Sequence, residues 1–340
     1  MHNSPLAFPQ RSLSTRVLRA GPYIALIGAL CLAILAGLIF GADTVWPTRW
    51  FDGSQQAALV FVWRAPRVAT AFVVGACLGL SGLIFQGVFR NPLAEPYLLG
   101  SASGASLGAA CALLLPELLP RGVGLPLMAF LGAWGSSLLV LLLGGGGGHS
   151  AQTGRLLLAG VALAAILSAL RSLILMIFGD ESSNLRAVIS WQLGGIQSPA
   201  WHEWGLLCLA TLVILIATVR LAPGLDALGL GEETAHSMGV RVRRFSMQAI
   251  ALAALATALA VAFGGLIGFV GLIAPHVLRW WVGPLHARLA PAVALGGGVL
   301  LMLVDTVARS AIPPSEIPVG LMTSLIGGPF FLFLLMRQKS

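Results

Sequence analysis

Charge is what this 340-residue chain has least of: Asp, Glu, Lys and Arg together make up 9% of it, while 57% is hydrophobic and the mean hydropathy is +0.92. A soluble domain carries about 25% charged residues, so this chain cannot clothe a water-facing surface and is read as a bilayer protein. Its apolar runs leave no room for a separate soluble domain. Residues 1–340 are expected to form one transmembrane domain, opening with a tail over residues 1–21. Lysine is almost missing, the 20 basic residues being 19 arginines and Lys339. A phosphate-cradling loop of the form G-x-x-x-x-G-K-[ST] needs a lysine after glycine; Lys339 follows Gln338, so if ATP drives this protein a separate subunit must bind it. The four cysteines, Cys31, Cys77, Cys111 and Cys208, stand singly in apolar stretches, which argues against a disulfide framework or a zinc knuckle. The six histidines contain no HExxH pair, and no nucleophile and base stand out. No metal or other cofactor is expected on the chain itself.

What is present is a succession of long apolar runs. A membrane-crossing helix takes roughly 20 mainly apolar residues, and the sequence predicts an all-α, polytopic fold of ten spans near 22–40, 66–88, 92–115, 125–143, 156–178, 204–221, 245–263, 266–282, 289–311 and 318–336. The first run follows Arg11, Arg16 and Arg19 and exceeds the roughly 7–15 residues of a signal-peptide core, so it is read as a retained span. The cut inside 245–282, through AVAFGGLIGFVGLIAPH, is decided by charge. Ten spans with a cytoplasmic N-terminus place 13 basic residues inside and six outside (Arg49, Arg64, Arg67, Arg121, Arg186, Arg309), whereas merging the two spans leaves 10 against 9. The positive-inside rule favours the former, with both termini cytoplasmic. Trp46, Trp50, Trp63, Trp191, Trp201 and Trp204 then fall near the outer interface as an aromatic belt. Gly75 with Gly79, and Gly100, Gly104 and Gly108 beside Ser101 and Ala105, read as small-residue ridges for close helix contact. Gly82-Leu83-Ile84, Pro92 and Gly100 recur 183 residues later as Gly265-Leu266-Ile267, Pro275 and Gly283, a weak echo that suggests an inverted repeat.

Charged and small residues at the span ends suggest function. In the basic-rimmed loop 222–244, Gly231, Ala235 and Gly239 recur at i, i+4 and i+8, while Glu232 and Glu233 favour a helix N-terminus; a small-faced helix suits a partner's groove. Arg64 and Arg67 open the second span and Arg309 ends the ninth. An isolated interfacial arginine snorkels to headgroups, but three forked guanidinium groups on one face suit carboxylate recognition, and Asp305 stands four residues before Arg309 to pair with it. Arg171, about 16 residues into the fifth span, either snorkels outward or faces a channel, where it would favour anionic cargo. His276, in APHVLR, reads as a structural hydrogen-bonding group.

Four ordered stretches carry a resemblance: RAPRVATAFVVGACLGLSGLIFQGVFRNPLAEPYLLGSASGASLGAA beginning at Arg64, LGLGEETAHSMGV (228–240), GLIGFVGLIAPHVLR (265–279) and DTVARSAIPPSEIPVGLMTSLIGGPFF (305–331). Together they closely resemble the FecCD-type permeases of binding-protein-dependent ABC importers for iron chelates, haem and cobalamin. The resemblance implies a homodimer with a channel on its two-fold axis in the bacterial cytoplasmic (inner) membrane. Two ATPase subunits holding ATP and Mg would lie beneath it and an extracytoplasmic substrate-binding protein above; lipid surrounds it and nucleic acid has no part. It further implies that Gly231, Glu232, Ala235 and Gly239 belong to a coupling helix on the ATPase, and that Arg64, Arg67 and Arg309 meet glutamates of the binding protein. Asn91, Pro92 and Leu93 with Thr153 and Gly154 would form an inner gate, although Gly154 stands where a small hydroxyl residue is common in the family. For cargo the order of expectation is ferric siderophore, haem, cobalamin. The alternative class is an ion-gradient-driven secondary transporter, which would need intramembrane acids; the sequence offers only Asp305.

Overall fold

The computed structural model describes residues 13–118, 124–144, 149–179 and 182–338. They fold into thirteen α-helices: α1 (Leu13–Ile39), α2 (Gln55–Ala58), α3 (Ala65–Phe89), α4 (Ser101–Leu114), α5 (Leu125–Gly144), α6 (His149–Phe178), α7 (Ser182–Gln192), α8 (Trp201–Gly229), α9 (Glu232–Ser237), α10 (Val242–Gly264), α11 (Val270–Val282), α12 (His286–Ser310) and α13 (Val319–Gln338). Ser54 caps α2 by accepting the Ala57 N–H, as a short hydroxyl side chain does at a helix start. A π-helical turn, Leu59–Arg64, then joins α2 to α3, so residues 55–89 form one 35-residue rod.

Eight of the described helices are long and apolar enough to cross a membrane, by length and composition; the other two expected spans are represented by shorter helices. At the third and eighth expected spans stand α4, of 14 residues, and α11, of 13. At 1.5 Å per residue these reach about 20 Å, short of a hydrocarbon core of about 30 Å. Each is shortened by a break within an apolar run. Before α4 the chain makes a tight turn at Pro96–Leu99 and enters the helix through Gly100 at φ 75°. Between α10 and α11 it extends through Gly265 (φ 65°) and Phe269 (φ 67°).

The two breaks hold each other. The Tyr97 hydroxyl donates to the Ile267 carbonyl at 3.0 Å and accepts the Ile267 N–H at 3.1 Å, while Glu95 Oε1 accepts the Phe269 N–H at 2.8 Å. Two further backbone bonds reach the end of α10, from Gly195 N–H to the Gly264 carbonyl and from Gln197 N–H to the Phe263 carbonyl. Backbone that leaves a helix inside a membrane protein has no water to turn to, so such partners are what make the break tolerable.

The rod α3 is the core: 89% of its apolar window is buried, against 6% for α6. Close approach is made at the small-residue ridges. A Cβ on Gly75 would overlap the Gly297 carbonyl, one on Gly82 the Gly271 carbonyl, and one on Gly104 the Gly132 carbonyl. The ridges read from spacing are therefore contact faces, α3 on α12 and α11, and α4 on α5. The internal echo does not survive in the backbone, because Gly82-Leu83-Ile84 lies inside α3 while Gly265-Leu266-Ile267 is the break after α10. Trp191 also departs from the belt expected of it, being 6% exposed in a cluster with Ala258 and Val261.

Candidate functional site

The ends of α3, about 37 Å apart by its 25 residues, carry two polar assemblies. At the N-terminal end four arginine and carboxylate side chains, from the π-helical turn, α3 and α12, gather beside the C-terminus of α1. Arg64 donates from Nη1 to the carbonyls of Leu38 (3.1 Å) and Ile39 (2.9 Å) and from Nη2 to the Asp43 carbonyl. Arg309 donates from Nη2 to the Gly37 carbonyl. The last carbonyls of a helix lack intrahelical partners and carry its negative pole, so two arginines bound there are a C-terminal cap. Both are buried, 6% and 4% exposed.

Asp305, 1% exposed, lies between the remaining charges. Its Oδ1 accepts from Arg67 Nε (3.1 Å) and Nη2 (2.9 Å), and its Oδ2 stands 3.4 Å from Arg309 Nε. The expected i, i+4 pair with Arg309 is present, but the closer partner is Arg67, 238 residues away. Arg67 Nη1 reaches on to Glu316 Oε2 at 2.8 Å, and Glu316 is half exposed. The expectation that all three arginines face outward is thus corrected. Arg64 and Arg309 are turned into the chain, Arg67 is mostly covered between Asp305 and Glu316, and Glu316 is the exposed edge.

At the other end Arg90 closes α3 in the left-handed region at φ 50°, and Asn91 Oδ1 accepts the Leu93 N–H at 2.9 Å. This side-chain turn is the local reason for the Asn-Pro pair. Arg90 Nη2 reaches Glu232 Oε1 at 3.1 Å, which ties the Asn91–Pro92–Leu93 turn to α9. The stripe read on Gly231, Ala235 and Gly239 is corrected here. Gly231 (φ 113°) and Gly239 (φ 85°) are the bends that bound a six-residue helix, and Ala235 is fully buried against Ala227 and Leu228. The outward surface is instead Leu230, Glu233, Thr234, Ser237 and Met238, with Leu230 69% and Met238 62% exposed. A cavity of about 560 Å³ runs between this elbow and the α3 end, lined by Arg90, Asn91, Pro92, Leu230, Met238 and His286. His286 Nδ1 lies 2.6 Å from Asp226 Oδ1 and pins α12 to α8.

Gly154 is exposed within α6, which already begins at His149, so Thr153 and Gly154 lie inside that helix and not ahead of it. The side chain of Thr153, like Lys339, is outside the described residues. Ala94 and Leu156 belong to one buried cluster, which brings the Asn91–Leu93 turn and the start of α6 to the same region. Arg171, seven residues from the end of α6, places Nη1 3.4 Å from Gln192 Oε1 of α7. Among the described residues no three metal-ligating side chains converge. The sequence reading missed Glu95, Tyr97, Glu316, Leu230 and Met238. Only Tyr97 carries a signal that could have been used, as one of just two tyrosines, directly after Pro96 and three residues before Gly100.

A buried helical rod wrapped by long apolar helices, with interlocked breaks inside and polar assemblies at its two ends, defines a polytopic membrane transport protein. More narrowly, the chain belongs to the FecCD transport family, whose model matches residues 29–337. It is 39% identical over 324 residues to the hemin transport system permease protein HmuU of Yersinia pestis, covering 93% of this chain and 94% of that one. It is likewise 39% identical over 311 residues to the cobalamin import system permease protein BtuC of Halobacterium salinarum, covering 92% and 79%. Among solved structures it is similar, at a TM-score of 0.81 and 32% identity over 94% of this chain and 99% of the other, to an inward-facing ABC transporter described as of metal-chelate type.

Proposed function

We propose that the chain is the permease of a bacterial ABC importer, working as a two-copy channel in the cytoplasmic membrane with both termini inside. Separate ATP-binding subunits would drive it and an extracytoplasmic binding protein would deliver its cargo. The observation that carries this reading is the Glu232–Arg90 bond. It joins an exposed elbow, able to take a push from a partner, to the Asn91–Pro92–Leu93 turn at the end of the buried rod. Ten traverses remain the reading of the chain, eight by long helices and two by α4 and α11 with their breaks. The exposed faces of α6, including Leu158, Val161 and Ile166, support the contact between copies, and docking above falls to Arg67. The cargo is a metal chelate. Haem and cobalamin now stand level with a ferric siderophore, since relatives named for hemin and cobalamin transport are equally similar.

The test is reconstitution in proteoliposomes with the ATP-binding subunit and the binding protein, with ATP hydrolysis and uptake of haem, cobalamin and a ferric siderophore measured separately. A surface pair of this exposure contributes about 0–1 kcal/mol to stability, so Arg90→Glu should leave folding and hydrolysis intact while uptake falls. Adding Glu232→Arg should restore uptake. Wild-type uptake by Arg90→Glu refutes the link, and the absence of ATP-dependent uptake of any of the three cargos refutes the importer.

A further inference from the structure

Three arginines line one groove at the start of α10 and a fourth lines the groove beside it, with no acid in either lining. Arg220 lies in the last third of α8, and Arg241, Arg243 and Arg244 surround the start of α10; all four are exposed, and none forms an ion pair among the described residues. The first turn of α10 contains no Asp or Glu. Positive side chains at the positive pole of a helix are unfavourable, so this corner favours an anion. The two helices are held together just here, where the Phe245 ring packs against Gly224 so closely that a Cβ there would overlap it.

The shape of the corner says which anion. A groove of about 720 Å³ is lined by His236 at the end of α9 and by Arg241, Arg243, Arg244 and Gln248. A second groove, of about 610 Å³, runs along the sides of α8 and α10 between Val213, Ile216 and Leu252, with Arg220 at its rim. Gln248 lines both, so a basic pocket at the bundle end borders an apolar trough on its flank. A protein docked beneath the bundle would cover the pocket and leave the trough empty. A molecule with a phosphate head and an acyl tail fills the pair, with Arg220 placed where head meets tail. Clusters of arginine beside a span attract anionic headgroups, and here the attraction is joined to a seat for the chain.

We propose that this corner is a binding site for an anionic phospholipid, its headgroup phosphate held by Arg220, Arg241 and Arg244 and one acyl chain lying between α8 and α10. The site requires only that the chain sits in a bilayer, and it is independent of the cargo.

The experiment is native mass spectrometry of the purified full-length chain in detergent, titrated with phosphatidylglycerol, with phosphatidylcholine of the same acyl chains, and with sn-glycerol 3-phosphate. Phosphatidylglycerol should be retained in preference to phosphatidylcholine, and glycerol 3-phosphate should not displace it. Arg220→Ala and Arg244→Ala should each weaken retention about five-fold. The neutral Ile216→Gln should weaken it as well, a result that attraction to surface charge alone does not produce. All three side chains are exposed, so the variants should unfold at the wild-type temperature. Equal retention of the two lipids, displacement by glycerol 3-phosphate, or insensitivity to Ile216→Gln overturns the proposal. So does retention of phosphatidylglycerol by arginine variants that lose their ATP-binding subunit, which would assign the corner to a protein partner.

Discussion

Asp305 should be the most costly single charge to remove from this protein. It is 1% exposed and lies within 3.4 Å of two guanidinium groups, Arg67 and Arg309, themselves 18% and 4% exposed at the side chain. Asp305→Asn keeps the volume and one acceptor oxygen but deletes the only buried negative charge between two cations. Removing one member of such a buried group costs about 3–5 kcal/mol, because the partners stay buried and uncompensated. That is a factor of roughly 10² to 5 × 10³ in the folding equilibrium. The neighbouring carboxylate supplies the internal control: Glu316 binds the same Arg67 at 2.8 Å but is 51% exposed, and Glu316→Gln should cost about 0–1 kcal/mol. Salt separates the two further. At 1 M the Debye length is about 3 Å, so the Glu316 contribution should vanish while the Asp305 loss persists.

The assay is reversible unfolding of the full chain in mixed micelles at low and high salt. Adding Arg309→Met to Asp305→Asn should recover part of the lost stability, since replacing a buried pair by an apolar group of similar size is often neutral or better. The residual loss should reflect the uncapped Gly37 carbonyl. An Asp305→Asn variant within about 1 kcal/mol of wild type, or one that Arg309→Met makes worse, would refute the reasoning. Either result would mean that water reaches this cluster.

Three other substitutions test the rod's packing, an open helix face and the break. Gly82→Val drives a branched side chain into the Gly271 carbonyl, so α3 and α11 must separate; overpacking of this kind costs about 1–3 kcal/mol, read as a lowered unfolding temperature. Gly135→Ala, at an open position on α5, should instead gain up to about 1 kcal/mol from helix propensity. Tyr97→Phe strips both hydrogen bonds from Ile267, leaving partly buried backbone unpaired at about 1–3 kcal/mol. It should raise amide exchange at residues 265–269 and leave α12 unchanged, whereas uniform exchange would show that the break is held by other contacts.

How far the chain could be read in advance depended on whether the decisive contact was local. The long helices were legible because hydropathy accumulates along the chain, and the glycine ridges because residues four apart share a helix face. Most failures had a distant partner. Residues 260–276 read as nearly continuous apolar chain, and nothing local shows that Phe269 takes a positive φ; what stabilises it there is Glu95, 174 residues earlier. The arginines at the first end read as outward-facing because a sequence shows a charge and not the helix terminus it caps. The 238-residue partnership of Arg67 with Asp305 outcompetes the local i, i+4 pairing that was visible.

The elbow failed differently. A stripe at i, i+4 and i+8 presumes one continuous helix, yet glycine at both ends of the stripe equally permits a bend at both ends. The chain takes the bends, at φ 113° and 85°, and this reverses the inside and the outside. Ala235 becomes a buried contact on α8, and Leu230 and Met238 become the exposed apolar pair. A bulky charge at Ala235 would therefore break the elbow itself, whereas Met238→Asp changes what a partner touches and leaves the fold alone. Loss of ATPase co-purification by Met238→Asp at an unchanged unfolding temperature is the result this geometry requires. Retained co-purification would return the contact to some other face of the loop.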